Sequence, residues 1–235
     1  MMTESQKSKL AEYTAAKASC PARERLAALF DDGVFTETAS GRNEGVVTAY
    51  GYINGCPAYA FSQDSTVSKG AVSRAHSEKI CRMFDLAAKN GVPVVGIYDS
   101  CGAFIEDGAA ALNAYSEILL EAGNLSGVVP TVSVVSGVCA GSMAVIACAA
   151  DYVVMTEKAE LYAAAGGDSG VKAAVESGAV SASAADDAEA MESVRKYLSL
   201  MPQNNLSPLP EFEFDAPAAA SFATAKDSIG AIADD

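Results

Sequence analysis

The sequence predicts an α/β fold with a mostly parallel sheet. Between Ala71 and Thr156, segments with helical periodicity alternate with short apolar runs rich in β-branched residues. This alternation is typical of parallel strands joined by right-handed helical crossovers. Half of the residues are apolar, which favours a large core, and the abundance of Ala and Gly favours close packing of helices on the sheet.

Each predicted element follows from its periodicity and from local start and stop signals. Asp31-Asp32-Gly33 ends the first helix, Asn54-Gly55 is a two-residue hairpin signal, and Gly91 ends the second helix. The predicted helices span residues 5–30, 71–90, 108–122, 142–150 and 186–201. The predicted strands span residues 45–53, 57–61, 93–98, 132–135 and 152–156, with a further short strand over 160–164. Residues 63–70 and 166–185 predict loops, the second of them partly helical.

Composition argues against several classes of protein. The net charge of −14 is unsuited to a nucleic-acid-binding protein, which needs a basic face. Six cysteines without a Cys-x-x-Cys pair indicate reduced thiols in a cytoplasmic protein rather than a metal site or a disulfide framework. The N-terminus is polar, and no apolar run approaches the about 20 residues that cross a bilayer, so we expect no signal peptide and no membrane insertion.

Two turns of small residues fall at the carboxyl ends of predicted strands. They are Asp99-Ser100-Cys101-Gly102 and the segment from Gly137 to Gly141, which leads into a helix at Ser142. Ligands of parallel sheets bind at this edge, and small residues let a ligand approach the backbone. We expect backbone N–H groups of both turns to hold one oxyanion. The alternative is a buried strand-helix corner packed with Ala and Gly.

Six segments carry a resemblance to a known family. In family order they are ARERLAALFDDGVFTE, GYINGCPAYAFSQD, AHSEKI, PVVGIYDSCGAFIEDG, SGVVPTVSVVSGVCAGS and RKYLSLMPQNN. With them the chain resembles the N-terminal half of a biotin-dependent acyl-CoA carboxyltransferase, as in the propionyl-CoA carboxylase β subunit and the glutaconyl-CoA and methylmalonyl-CoA decarboxylases. The resemblance implies a crotonase-like α/β fold, a ββα superhelix that holds acyl-CoA thioesters in an oxyanion hole.

The resemblance also implies a catalytic arrangement. The thioester carbonyl would lie between the N–H groups of Cys101-Gly102 and those of Gly141-Ser142, where they stabilise an enolate oxygen. One such donor contributes about 3–4 kcal/mol in the transition state. The ureido group of biotin would take the α-proton, so no His, Asp or Glu is needed as a base. No metal is expected.

The expected acyl-CoA contacts lie on both sides of these turns. Lys69, Arg74 and Lys79 are candidates for the CoA phosphates, because they cluster in a chain that is acidic elsewhere; the alternative is an ordinary solvated basic face. The remaining expected contacts, implied by the resemblance, are Gly70, Ala103, Phe104 and Ala140.

The sequence departs from the family pattern at several positions. Cys101 and Ser142 stand where the family has glycine, and Phe104 stands where it has arginine. The family's glycine-rich stretch before AHxxKI has lost one glycine and is represented by residues 68–73. These substitutions leave open whether the site is active.

The resemblance implies partners. The chain has no Met-Lys-Met, so biotin would be attached to a biotin carboxyl carrier protein, and the C-terminal half of the carboxyltransferase would supply the biotin pocket. A homo-oligomer (dimer, trimer or hexamer) is expected. We interpret residues 1–235 as the N-terminal acyl-CoA-binding domain, with a helical segment over 1–30 and an extended, proline-rich connector over 202–235. The final IGAIADD echoes LAALFDD at 26–32, which suggests the start of a second repeat.

Two other functions remain open from the sequence. The first is a crotonase-type hydratase, isomerase or hydrolase, in which Glu106 or Asp107 would be the carboxylate near the thioester. The second is a non-catalytic CoA-thioester-binding subunit with a degraded site. Simple structural roles are also expected: Asp99 and Ser100 capping the turn after them, Glu106 and Asp107 capping the next helix, and His76 packed within its helix.

Overall fold

The computed structural model describes residues 20–39, 44–164 and 166–211. The helices are α1 (Pro21–Leu29), α2 (Arg74–Asn90), α3 (Ala109–Leu125), α4 (Ser142–Cys148), α5 (Val171–Glu176) and α6 (Asp187–Leu200). The strands are β1 (Phe35–Glu37), β2 (Val46–Ile53), β3 (Cys56–Gln63), β4 (Val94–Ser100), β5 (Thr131–Ala140), β6 (Tyr152–Thr156), β7 (Glu160–Tyr162) and β8 (Ala182–Ala184). The expected helix over residues 5–19 and the echo at 229–235 lie outside the described residues.

All the described strands join one sheet, in the order β1-β2-β3-β4-β5-β6-β8, with β7 also paired to β5. The pairs β1–β2 and β2–β3 are antiparallel, and every pair from β3 to β8 is parallel. The predicted α/β fold with a mostly parallel sheet is therefore confirmed. β4 and β5 lie at the centre of the sheet, so their carboxyl ends share one edge.

Helices cover both faces of the sheet. Strand β4 shows how the chain fills both sides: Val94 and Tyr98 pack into a core with α2, α3 and α4, whereas Val95 and Ile97 pack into a second core with α1 and α6. The alternation of side chains along a strand explains this division, and burial on both faces explains the continuous apolar run PVVGIY.

Local signals act as the sequence predicts. Asn54 and Gly55 have φ values of 53° and 75°, the positive values that a tight hairpin turn needs, and they join β2 to β3. The Ser73 hydroxyl accepts a hydrogen bond from the His76 N–H at 3.2 Å and caps α2, which starts three residues later than expected. Gly91, with φ of 62°, ends the same helix.

Strand β5 is longer than predicted. The expected turn over residues 137–141 is reduced to Gly141, because Val138–Ala140 continue as strand and pair in parallel with β7. Residues 166–185 also hold more order than a loop, since they contain α5 and β8 and β8 pairs with β6. Residues 202–211 contain neither helix nor strand, as expected for the connector. Among the described residues, no helix combines the length and apolarity that a bilayer crossing requires.

Candidate active site

The two small-residue segments meet at the carboxyl edge of the sheet. Ser100 of β4 pairs with Cys139 of β5, so the residues that follow, Cys101-Gly102 and Ala140-Gly141, lie side by side. The two turns that the sequence predicts at this edge of the sheet are therefore neighbours.

A short ladder of backbone hydrogen bonds joins the Cys101-Gly102 turn to the loop before α2. The Cys101 N–H donates to the Lys69 carbonyl at 3.1 Å, the Val72 N–H to the Gly102 carbonyl at 2.9 Å, and the Phe104 N–H to the Val72 carbonyl at 3.0 Å. The predicted contacts Lys69, Gly70, Ala103 and Phe104 are thus brought beside the predicted catalytic turn.

The structure changes which N–H groups are available. The Cys101 N–H is taken by Lys69, and the Gly141 N–H donates to the Tyr162 carbonyl at 2.9 Å, so neither is free as expected. The Gly102 N–H makes only a long contact of 3.3 Å with Ser100 Oγ. The Ser142 N–H, at the first position of α4, finds no acceptor within the described part of the chain. Of the four residues predicted to supply donors, Gly102 and Ser142 are therefore the two whose N–H groups remain available.

Both turns need glycine for conformational reasons. Gly102 has φ of 122°, and Gly141 has φ of 67° and ψ of −136°, values that side chains with a Cβ rarely adopt. A Cβ built on either residue meets no atom of the described residues within 4 Å. The space over the two turns is therefore open, and the Cys101 side chain beside them is exposed.

Ser100 and Asp99 have different roles. Ser100 Oγ contacts the backbone of the turn, as predicted. The Asp99 carboxylate does not cap the turn; it accepts hydrogen bonds from Arg25 Nη1 at 3.0 Å and Ser65 Oγ at 2.7 Å. Sequence reasoning missed Arg25, because its partner lies 74 residues away and the sequence contains no local signal for the pair.

His76 is packed inside the fold, as expected from the sequence, and it is neutral. Its Nδ1 lies 3.1 Å from the Glu44 carbonyl, an acceptor only, so Nδ1 carries the proton. Its Nε2 then accepts from Gln63 Nε2 at 3.2 Å, and Gln63 Oε1 accepts the Asp99 N–H at 3.0 Å. Burial lowers the pKa of His76 to about 3, and the bond to Glu44 opposes this only in part. The chain of bonds supports the end of β4 rather than offering a base.

A cavity of about 480 Å³ lies beside the Cys101-Gly102 turn, at the start of α2. Its lining includes the predicted contacts Arg74 and Phe104 together with Ser68, Ser73 and Asp107. Asp107 Oδ2 accepts the Arg74 N–H at 2.9 Å, so Asp107 caps α2 and not α3, which begins after Gly108 without a side-chain cap. The expected capping of α3 by this carboxylate is wrong.

The predicted basic residues differ in their surroundings. Arg74 is exposed and pairs with Glu78 at 2.9 Å. Lys79 is half-buried: burial lowers its pKa, and the nearby carboxylates of Glu44 and Glu37 oppose that effect. Lys69 is exposed in a left-handed conformation with φ of 53°. Lys69 is therefore the basic side chain placed best to reach a ligand over the turn.

Residues 15–229 match the carboxyl transferase domain family. The chain belongs to this family. It is similar to the methylmalonyl-CoA decarboxylase subunit alpha of Propionigenium modestum, with 36% identity over 222 residues, which cover 81% of this chain and 43% of that protein. It is also 36% identical over 220 residues to the propionyl-CoA carboxylase beta chain of Cereibacter sphaeroides, covering 80% of this chain and 43% of that protein. The chain spans less than half the length of these relatives.

Solved structures of carboxyltransferases share the fold. A transcarboxylase 12S structure, a hexamer assembly with methylmalonyl-coenzyme A and methylmalonic acid bound, superposes with a TM-score of 0.81 at 29% identity, over 89% of this chain and 50% of that chain. One chain of the Pseudomonas malonate decarboxylase MdcD-MdcE hetero-dimer superposes with a TM-score of 0.68 at 26% identity, over 90% of this chain and 94% of that chain. The expected crotonase-like carboxyltransferase fold is confirmed.

Proposed function

We propose that this domain binds an acyl-CoA and stabilises the enolate of its thioester during carboxyl transfer to or from biotin. The observation that supports the proposal is the pairing of β4 and β5, because the ends of both strands, and with them Gly102 and Ser142, lie at one edge of the sheet. Two backbone donors fixed in place stabilise the developing oxyanion without reorganising during the reaction.

The residues around the donors have separate roles in binding. Cys101, Gly141, Ala103 and Ala140 shape the backbone around the thioester. Phe104 lines the cavity beside it, and Gly70 packs against the Asp99 backbone. Lys69 contributes a charge for a CoA phosphate, and Arg74 contributes a second one once its exposed pair with Glu78 opens. Exposed ion pairs of this kind contribute only about 0.3–0.5 kcal/mol, so their opening costs little. Lys79 lies near the carboxylate of Glu44, which lines the cavity.

Biotin enters this proposal through partners. When bound, biotin supplies the ureido nitrogen that carries the carboxyl group. The open space over Gly102 and Gly141 leaves room for another protein surface, so we assign the biotin pocket to a C-terminal carboxyltransferase half and biotin itself to a carboxyl carrier protein. The transcarboxylase 12S hexamer supports a homo-oligomer, and the six free cysteines support a cytoplasmic location.

The domain boundaries follow the same proposal. In this proposal residues 1–235 are the acyl-CoA-binding half, with residues 1–30 as its N-terminal segment and residues 202–235 as the connector. The match to 43% of the curated relatives supports a half-length unit.

Titration calorimetry tests ligand binding directly. We expect saturable binding of propionyl-CoA or methylmalonyl-CoA, and no binding up to about 1 mM would contradict the proposal. A second ligand tests the oxyanion site: a nitroalkyl thioether of CoA, whose nitronate anion mimics the enolate. We expect it to bind more tightly than the thioester, because the two donors favour the anion.

Ser142→Pro removes one donor while keeping the helix. Proline is tolerated at the first helical position, where its missing N–H has no partner within the helix. We expect affinity for the nitronate to fall about 100-fold. Ala109→Pro is the matched control: it is the first residue of α3, and Gly108 before it (φ 55°, ψ −125°) has nearly the conformation of Gly141. Equal losses in both variants would contradict the assigned donor.

A further inference from the structure

The end of strand β4 has an interruption in its pairing with β5. The register runs continuously to Tyr98↔Val135 and resumes at Ser100↔Cys139, so Asp99 has no partner in the ladder. Asp99 lies two residues before Cys101 and three before Gly102. Backbone pairing to β5 is therefore irregular at Asp99, and only the single pair Ser100↔Cys139 follows it before the turn that presents the Gly102 N–H.

Side-chain contacts hold Asp99 where the ladder is interrupted. The Asp99 side chain is 11% exposed, and its Oδ2 accepts from Arg25 Nη1 at 3.0 Å and from Ser65 Oγ at 2.7 Å. Its backbone N–H donates to Gln63 Oε1 at 3.0 Å. A buried carboxylate with these partners strongly resists movement, because breaking one charged partner leaves a desolvated charge.

Close packing leaves Asp99 little freedom. A Cβ on Gly70 would overlap the Asp99 carbonyl, and a Cβ on Gly137 would overlap its carboxylate. Lys69, next to Gly70, accepts the Cys101 N–H. A shift of Asp99 would therefore be passed to the turn through two routes, along β4 and through the loop of Lys69 and Gly70.

Arg25 connects this point to two helices. It lies on α1, is 13% exposed, and its Nε also donates to Asp187 Oδ2 at 3.0 Å, at the start of α6. Burial alone would lower the pKa of the Arg25 guanidinium, but the carboxylates of Asp187 and Asp99 outweigh burial and leave that pKa above its usual value. The guanidinium stays charged and bridges the helical layer to the strand end.

We propose that Arg25 is a positioning residue: its ion pair with Asp99 replaces the missing ladder contact, fixes the end of β4, and so sets where the Gly102 N–H points. This inference rests on the proposed oxyanion function. Its effect should appear in stabilisation of the enolate more than in ground-state binding, because a donor displaced by about 1 Å can cost about 100-fold in rate while CoA contacts elsewhere remain.

The test compares two ligands across variants of the full chain. Arg25→Lys keeps a charge beside Asp99 but cannot donate to both carboxylates in the same geometry. Asp99→Asn keeps the shape and removes the charge. For both variants we expect the preference for the nitronate analogue over propionyl-CoA to fall at least about tenfold, with propionyl-CoA affinity changed by less than about threefold.

Arg23→Lys provides the control on the same helix. Arg23 pairs with Glu37 at 2.8 Å and is placed in no part of the site, so its variant should keep the wild-type ligand preference. Thermal unfolding of each variant identifies losses that come from folding. If Arg25→Lys and Asp99→Asn keep the wild-type preference, or weaken both ligands alike, the positioning role is wrong. If the wild-type chain shows no preference for the nitronate, the proposed oxyanion hole is wrong instead.

Discussion

At the scale of single residues, the candidate site depends on backbone rather than on reactive side chains. Gly102 and Gly141 adopt conformations reserved for glycine, and the useful groups are N–H donors beside them. The sequence showed the small residues at these positions and their place at strand ends. It did not show that the N–H groups of Cys101 and Gly141 were already used, because their acceptors, Lys69 and Tyr162, come from distant segments.

Gly141→Ala is the clearest test of the conformational requirement. We expect the free energy of unfolding to fall by about 1–3 kcal/mol, because alanine is strained at this φ and ψ. We also expect acyl-CoA binding to weaken, since relief of that strain moves Ser142. Gly127→Ala is the control: Gly127 also has positive φ (72°) and open space around its Cα. It should lose stability but keep acyl-CoA affinity, as measured by chemical unfolding and calorimetry.

The buried His76 predicts a pH dependence of stability. Its pKa is about 3 in the folded chain and about 6.5 unfolded, so the unfolded state binds the extra proton between these values. The free energy of unfolding should therefore be fully present above pH 6.5 and fall by about 1.4 kcal/mol per pH unit below it. Urea unfolding from pH 7 to pH 5 measures this loss.

His76→Gln is the control for that titration. The sequence contains one histidine, so the variant has no imidazole left to titrate. Its stability should change much less between pH 7 and pH 5 than that of the wild-type chain. Equal slopes would mean that His76 is not the group that binds the proton.

At the scale of elements, periodicity predicted most helices and strands, but it could not predict pairing. Residues 138–140 lie between Gly137 and Gly141, which suggests a turn. Their pairing with β7 makes them strand instead. β8 was missed for the same reason, since ASA has little strand propensity and is held by β6. The hairpin and the end of α2 at Gly91 were predicted well, because local residues determine them.

The loop before α2 is strained at two residues that carry a side chain. Ser68 and Lys69 have φ of 48° and 53° and are followed by Gly70 at 68°. Ser68→Gly should raise the free energy of unfolding by up to about 1 kcal/mol, because glycine adopts this conformation without the penalty of a Cβ. Ser126→Gly is the contrasting variant: Ser126 has φ of −58°, so glycine should only destabilise. Chemical unfolding measures both changes. If the free energy of unfolding changed with the same sign in the two variants, the strain would not come from the missing glycine.

At the scale of the whole molecule, the acidic charge of the chain bears on how it binds its ligand. Its acidic surface, with a net charge of −14, gives no global attraction for CoA phosphates, so binding depends on local groups such as Lys69. The curated relatives are more than twice as long as the matched region, and the site is open over Gly102 and Gly141. Composition alone could not show this difference in length; the family resemblance led us to expect a second half, which stays a prediction.

Carboxyl transfer from methylmalonyl-CoA to free biotin, measured with and without a C-terminal carboxyltransferase half, tests the central claim most directly. We expect little transfer by this chain alone, a large increase when the second half is added, and loss of that increase in Ser142→Pro but not in Ala109→Pro. Transfer that is unchanged by Ser142→Pro, or absent with every matching half although methylmalonyl-CoA binds, would contradict a carboxyltransferase that works through this oxyanion site.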